Sequence, residues 1–330
     1  MIGYGMGKEM EGAMYYFVIN PTSRTGRGQE YWNRIQPILE EKKIQYKAAF
    51  SEKIGHTEKL VRKLCEKKKD RNIHIVVLGG DGTINEAVQG IVDFHKVTLS
   101  YIPTGSSNDL ARDMGISRVP EEALQAILDR KHDRYMDVGL VRYEKAFLKG
   151  EEISLPDRRF MVGCGIGFDA AVCEEAIHSK IKGNLNRLGL GKLTYLGIAL
   201  QQVMMAKMAT GSITLDSGKA IPLKDIFLAV GMVHRYQGGG FMFCPNAKDN
   251  DGLLDVCVAS DVKSKLRILR ILPTVFKGNH VHFKEIASYQ AKEVLIEVDT
   301  PLWVQTDGEV HAQAKRIRLT NIKEKIHFIY

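Results

Sequence analysis

The stretch Ile73-His74-Ile75-Val76-Val77-Leu78-Gly79-Gly80-Asp81-Gly82-Thr83-Ile84-Asn85-Glu86-Ala87-Val88-Gln89-Gly90-Ile91-Val92 decides how this chain is read. A run of β-formers leads into glycines that need no Cβ clearance, and Ile84, Ala87, Val88, Ile91 and Val92 then fall on one helical face. This is strand, turn, helix. Thr83 with Glu86 three residues on has the form of a capping box, which sets the helix start at Thr83. A glycine turn that enters a helix leaves backbone N–H groups unpaired, and together with the helix dipole these attract anions, phosphate above all. Asp81 is repelled by phosphate unless a cation lies between them, and magnesium carried by a nucleotide supplies one. The alternative, on local chemistry alone, is that Asp81-Gly82 is only a tight turn.

Upstream, Tyr15–Ile19 reads as a strand that stops at Asn20-Pro21, where a loop containing Thr22, Ser23, Arg24, Thr25, Gly26, Arg27 and Gly28 begins. A helix follows to about Lys43, with a kink or a restart expected at Pro37. Tyr46–Phe50 is a second strand, and Thr57–Lys68 a helix with Leu60, Val61, Leu64 and Cys65 inward. Lys67-Lys68-Lys69 is its solvated end. Downstream, Leu99–Ile102 runs into Pro103-Thr104-Gly105-Ser106-Ser107-Asn108-Asp109. Strands alternating with helices predict a doubly wound parallel sheet whose ligands collect at the carboxyl ends of the strands, so three polar loops meet at one edge.

Beyond Asp137-Val138-Gly139 the texture changes to short alternating segments: Gly211–Leu215, Ile226–Val230, Leu253–Val258, Val294–Val298 and Leu302–Gln305, with a turn at Asp216-Ser217-Gly218. A β-rich second domain is expected, interrupted by helices near Leu185–Ala209 and Lys263–Lys277. The junction of the two halves is the natural place for chemistry.

The 330 residues, 44% hydrophobic, suffice for two cores. There is no repeat and no apolar run near the roughly 20 residues of a spanning helix, so a soluble protein is expected. Met1 to Ala13 lacks the pattern of a secretory signal and reads as a frayed leader. Five cysteines, Cys65, Cys164, Cys173, Cys244 and Cys257, show no metal-ligand spacing and suit reduced thiols in a cytoplasm. A formal charge of +8 favours an acidic partner. Basic residues are scattered without an aromatic-interleaved patch, which argues against nucleic acid.

In combination, Asn20-Pro21-Thr22-Ser23, Gly79 to Glu86, Pro103 to Asp109, Pro245 through Asp251-Gly252-Leu253-Leu254-Asp255, and Asp307-Gly308-Glu309 resemble soluble diacylglycerol kinases and their bacterial lipid-kinase and sphingosine-kinase relatives. The resemblance implies an N-terminal doubly wound α/β nucleotide-binding domain over residues 14–138, of the kind shared with NAD kinases and phosphofructokinases, and a C-terminal β-sandwich lipid-substrate domain over 139–330. It also implies transfer of the ATP γ-phosphoryl group to a lipid hydroxyl, foremost diacylglycerol to give phosphatidic acid.

Carried over by position, Gly79, Gly80, Gly82 and Thr83 cradle ATP phosphates, with Asn20, Thr22, Asn85, Glu86, Thr104, Gly105, Ser106 and Asn108 completing the pocket. The bland reading of the hydroxyl and amide residues is that they cap helices and turns. Asp81 holds the nucleotide's Mg2+. Arg24 and Arg27 clamp phosphate, touch an anionic membrane, or are solvated. Asp307 is the candidate general base for the lipid hydroxyl, supported by Glu309, although Asp-Gly between strands is by itself a hairpin signal. Asp137, near the domain junction, orients Asp307 or the substrate, or is an ordinary strand-end aspartate. Relatives bind a structural magnesium in the loop holding Asp249, Asp251 and Asp255, which here puts Asp251 and the Leu254 carbonyl forward. Gly238-Gly239-Gly240 before Phe241-Met242-Phe243 either admits acyl chains or flanks core aromatics.

The expectation is thus an ATP- and magnesium-dependent lipid kinase, cytoplasmic and peripheral on an anionic membrane. Relatives suggest a homodimer, which no heptad or exposed apolar stripe establishes here. The rivals are an NAD kinase, against which the lack of a second Asn-Glu motif speaks, and a catalytically silent nucleotide-binding regulator.

Overall fold

A computed structural model describes residues 14–68, 72–178 and 203–330. The expected leader and residues 185–202 of the expected helix lie outside them. The chain divides into two units: residues 14–136 with 324–330, and residues 137–323.

In the first unit the order is β1 (Tyr15–Ile19), α1 (Ser23–Glu41), β2 (Tyr46–Phe50), α2 (His56–Lys67), β3 (Ile73–Gly79), α3 (Asp81–Gly90), β4 (Val97–Pro103), α4 (Asp109–Met114), α5 (Pro120–Leu128) and β5 (Asp133–Met136). Strands β2-β1-β3-β4 are parallel neighbours. The alternating chain folds this way because β3 is apolar on both faces: Ile75, Val76, Val77 and Leu78 are fully buried, each stabilising by about 1.5–3 kcal/mol before the entropy of ordering is set against it. Residues Arg24, Thr25 and Gly26 have left-handed dihedrals, so the regular part of α1 begins after them, and it continues through Pro37 without a restart.

The fifth place in this six-stranded sheet, between β4 and β5, is a correction to the expected boundary. Strand Ile326–Ile329, from the end of the chain, lies parallel to β4 and antiparallel to β5, so the first unit is built from two separate segments. Specific polar contacts hold it there. His327 bonds Thr98 at 2.9 Å through Nδ1 and Asp133 at 2.6 Å through Nε2, and the Ser100 hydroxyl donates to the Ile329 carbonyl at 2.6 Å.

The second unit contains β6 (Gly139–Leu148), β7 (Glu151–Ile153), β8 (Arg158–Phe160), β9 (Gly163–Gly167), α6 (Phe168–His178), β10 (Ala209–Leu215), β11 (Ile221–Ile226), β12 (Leu228–Met232), β13 (Tyr236–Gln237), β14 (Phe241–Met242), β15 (Leu254–Ala259), α7 (Lys265–Val275), β16 (Ile286–Ala291), β17 (Glu293–Thr306) and β18 (Glu309–Asn321). The antiparallel path β16-β15-β12-β9-β17-β18-β6-β7 bends into a sandwich, with β10 and β8 paired at its sides. The two strands expected at Val294–Val298 and Leu302–Gln305 are one strand. Its pairing shifts between Glu297 and Leu302, around Pro301, so its first half pairs with β10 and its last three residues with β9. Alternating residues, among them Val294, Ile296, Val304, Ala312, Ala314, Ile317 and Leu319, fill the core.

Candidate nucleotide and acceptor sites

Three loops at the carboxyl ends of β1, β3 and β4 are tied together in the first unit. The Asn20 amide donates to Thr83 Oγ1 at 3.1 Å and accepts from Thr22 Oγ1 at 3.1 Å. The Thr104 N–H donates to the Gly79 carbonyl at 2.7 Å, and the Thr104 hydroxyl bonds that of Ser23. The glycines are required by this closeness: a Cβ on Gly79 would lie 2.4 Å from Thr83 Cβ, and one on Gly105 would lie 2.7 Å from Gly80 Cα. Asn108, buried with φ of 50°, clamps its own loop by donating to the Gly105 carbonyl at 3.0 Å. The loop residues Thr22 and Ser106 are exposed.

Helix α3 begins at Asp81, two residues before the expected Thr83, and no side chain caps it. The capping box does not form because both members are engaged elsewhere. Thr83 receives Asn20, and the Glu86 carboxylate accepts from the N–H groups of Gly55 at 2.8 Å and Thr57 at 3.1 Å, capping α2, whose own N-cap is a glycine. Glu86 and the fully buried Asn85, which accepts from Gln89 at 3.1 Å, therefore shape the scaffold. Helix α3 also ends earlier than its periodicity suggests: a Cβ on Gly90 would meet the Glu58 carbonyl at 2.4 Å, and Val92 beyond it is exposed.

Asp81 lies in the first turn of α3, and its Oδ2 accepts the Asp109 N–H at 3.2 Å. Burial first, and then the charges of Asp81 and Asp109, push the fully buried Tyr101 hydroxyl well above its ordinary pKa. Two carboxylates thus stand beside a helix N-terminus left open for an anion. Carboxylate oxygens are the hard donors that Mg2+ accompanying a nucleotide takes. Nearby, burial and then the charges of Arg27 and Arg118 hold the Arg24 guanidinium below its ordinary pKa, so three like charges crowd together where an anion would relieve them. Asp109 closes the motif read in the sequence but was given no role there, and Arg118 was not singled out; the sequence gives no signal of their proximity to Asp81 and Arg24.

In the second unit, Asp307 and Gly308 form the two-residue turn between β17 and β18, at φ of 49° and 87°. The hairpin signalled by Asp-Gly is thus present, with the candidate carboxylate in its turn. Asp307 Oδ1 accepts from the N–H groups of Val162 and Gly163, both at 2.9 Å, and Oδ2 from Met161 at 2.8 Å. The carboxylate is therefore stabilised as the anion and fixed in direction. Glu309 accepts from Arg158 at 3.3 Å, with His311 3.8 Å away.

A buried chain of amides supports this turn. Gln305 Oε1 accepts from the Gly308 N–H at 2.8 Å and from Gln237 at 2.9 Å, while its Nε2 donates to Asp169 at 2.9 Å. Burial pushes the Asp169 carboxyl up to about 6 against the lowering by Gln305. These three residues, far apart in the chain, carried no sequence signal.

Asp137 is fully buried and its Oδ2 accepts the Gly252 N–H at 2.7 Å, so it braces the turn that follows Asp249. Asp251 accepts from Leu253 N–H at 3.1 Å within that turn, and Leu254 is buried at the start of β15. Among the described residues no group of three or more His, Cys, Asp or Glu side chains could hold a metal ion.

Residues 14–141 match the family model described as diacylglycerol kinase catalytic domain, and residues 164–319 that described as YegS C-terminal NAD kinase beta sandwich-like domain. The chain is 27% identical over 298 residues to "Putative lipid kinase YtlR" of Bacillus subtilis, covering 90% of this chain and 93% of that one. It is 32% identical over 242 residues to "Probable lipid kinase YegS-like" of Pseudomonas aeruginosa, covering 71% and 69%. The fold matches a crystal structure from Bacillus anthracis, described there as a "putative diacylglycerol kinase", at a TM-score of 0.72 and 24% identity over 100% of this chain and 98% of that one. A nucleotide-type glycine loop, a hairpin carboxylate on a β-sandwich and these matches together place the chain in the diacylglycerol kinase and YegS-like lipid kinase family of phosphotransferases.

Proposed function

We propose that this chain transfers the γ-phosphoryl group of ATP to the hydroxyl of diacylglycerol, giving phosphatidic acid. The observation that carries the reading is the uncapped start of α3, held between two other loops and flanked by Asp81 and Asp109. Magnesium would be held by Asp81, with Asp109 beside it, and when bound supplies charge neutralisation on the transferring phosphate. The glycine-loop N–H groups bind phosphate, and Asn20, Thr83 and Thr104 keep the loops in register.

Phosphoryl transfer leaves little covalent work to the protein beyond positioning and charge. Asp307 accepts the proton of the lipid hydroxyl as the alcohol attacks. Three main-chain donors hold the direction of this carboxylate for that proton transfer. Glu309, with Arg158, supports the same turn. The named family model favours diacylglycerol over other membrane alcohols.

The test is transfer of labelled γ-phosphate from magnesium-ATP to a panel of diacylglycerol, monoacylglycerol, phosphatidylglycerol, polyprenol and sphingoid base in mixed vesicles, with NAD in a parallel tube. Labelled phosphatidic acid is expected. Labelled NADP would replace the reading by an NAD kinase, and ATP binding with no product on any acceptor would replace it by a silent regulator.

A further inference from the structure

Helix α7 (Lys265–Val275) buries Ile268, Ile271, Leu272 and Val275, the i, i+3, i+4, i+7 stripe of an amphipathic helix. The opposite face of such a helix is ordinarily polar. Here Leu266 is 66% exposed and Phe276, one residue past the helix, 45%. Met204 and Met205 are also exposed, and the Lys265 ammonium donates to the Met204 carbonyl, which brings them to the helix start. Phe276 is held outward by stacking on Phe241, with ring centroids 4.4 Å apart.

Cations are interleaved with these apolar side chains. From Val262 to Lys284 the chain carries Lys263, Lys265, Arg267, Arg270, Lys277 and Lys284 and no carboxylate. Arg267 is compensated by Glu285 at 3.0 Å, whereas Lys263, Arg270 and Lys277 are exposed. Leu266, Arg270 and Pro273 follow the 4, 3 spacing of one helical face, and Lys263 and Lys277 continue it at either end.

We propose that this face docks the second unit onto an anionic lipid bilayer, the cations meeting headgroup charge while Leu266, Phe276, Met204 and Met205 enter the interface. The charge pattern disfavours a second copy as occupant, because a two-fold contact would set the cations against their own images. The inference deepens the lipid-kinase reading and rests on it for its purpose, but binding can be measured without catalysis.

The experiment is flotation of the full chain with phosphatidylcholine vesicles, with and without phosphatidylglycerol, for wild type, for Leu266→Glu with Phe276→Glu, and for Lys263→Glu with Arg270→Glu and Lys277→Glu. Wild type should favour the anionic vesicles and be released by salt. The triple charge reversal should weaken that binding by roughly a hundredfold or more, from about 1 kcal/mol per cation near the surface, and the double substitution should also weaken it. Phosphorylation of dioctanoylglycerol free in solution should be unchanged in both variants. Wild-type vesicle binding by natively melting variants would overturn the proposal, as would a dimer in sedimentation that both variants lose without any wild-type vesicle binding. No phosphorylation of dioctanoylglycerol by wild type, with the vesicle pattern intact, would sink the kinase reading and leave the docking face supported.

Discussion

Asp169 shows how a residue remote in sequence can govern a turn. Its carboxylate takes Gln305 Nε2, which leaves Gln305 Oε1 to receive the N–H next to Asp307. The groups facing it are neutral: burial pushes the Cys164 thiol well up and the Cys257 thiol to about 12, so neither ionises nearby. With its own carboxyl moved from 3.8 to about 6, the folded chain keeps a proton there that the unfolded chain releases. Between those values stability therefore falls as pH rises, and above about 6 the ionised group costs on the order of 3 kcal/mol. Asp169→Asn keeps an acceptor for Gln305 without the charge. Its melting temperature relative to wild type should shift in the variant's favour as pH is raised from about 4.5 to about 7.5. A difference that does not change with pH would contradict a buried titrating carboxylate.

Among the elements, the junction of α2 and α3 carries the clearest lesson about what a sequence discloses. Glu86 was legible as a cap but not whose cap: the local rule names its own helix, whereas the glycine at the start of α2 has no side chain and takes the carboxylate from 31 residues away. Glu86→Gln should lose about 1–2 kcal/mol by removing the charge from these bonds, and Thr83→Ser should lose much less because the hydroxyl that binds Asn20 remains. Chemical denaturation compares them, and equal losses would argue that the box forms after all. The strand-loop-helix texture was legible because glycines and periodic apolar residues act locally. The single bent β17 was not, since Pro301 reads as a break and its continuity depends on partners elsewhere in the sheet. Likewise Ile326–Ile329 is too short to declare which sheet it joins. Its place is set by His327, Ser100 and Asp133.

For the molecule as a whole, the proposed chemistry is divided between the two units. The candidate phosphate-binding loop with Asp81 and Asp109 belongs to the first, and the candidate hairpin carboxylate Asp307 to the second, with none of the described helices long and apolar enough to cross a membrane. The motifs were readable because phosphate binding and tight turns constrain residue type at short range. Arg118, Gln237 and Gln305 were not, because their roles exist only once distant loops converge. The most direct test of this division measures magnesium-ATP affinity and the rate of transfer to diacylglycerol in the same preparations of wild type, Asp81→Ala and Asp307→Asn, with melting confirming the fold. Asp81→Ala should lose both. Asp307→Asn should bind nucleotide as wild type does while transfer falls by roughly a hundredfold or more; wild-type transfer by that variant, or loss of nucleotide binding equal to that of Asp81→Ala, would contradict the account.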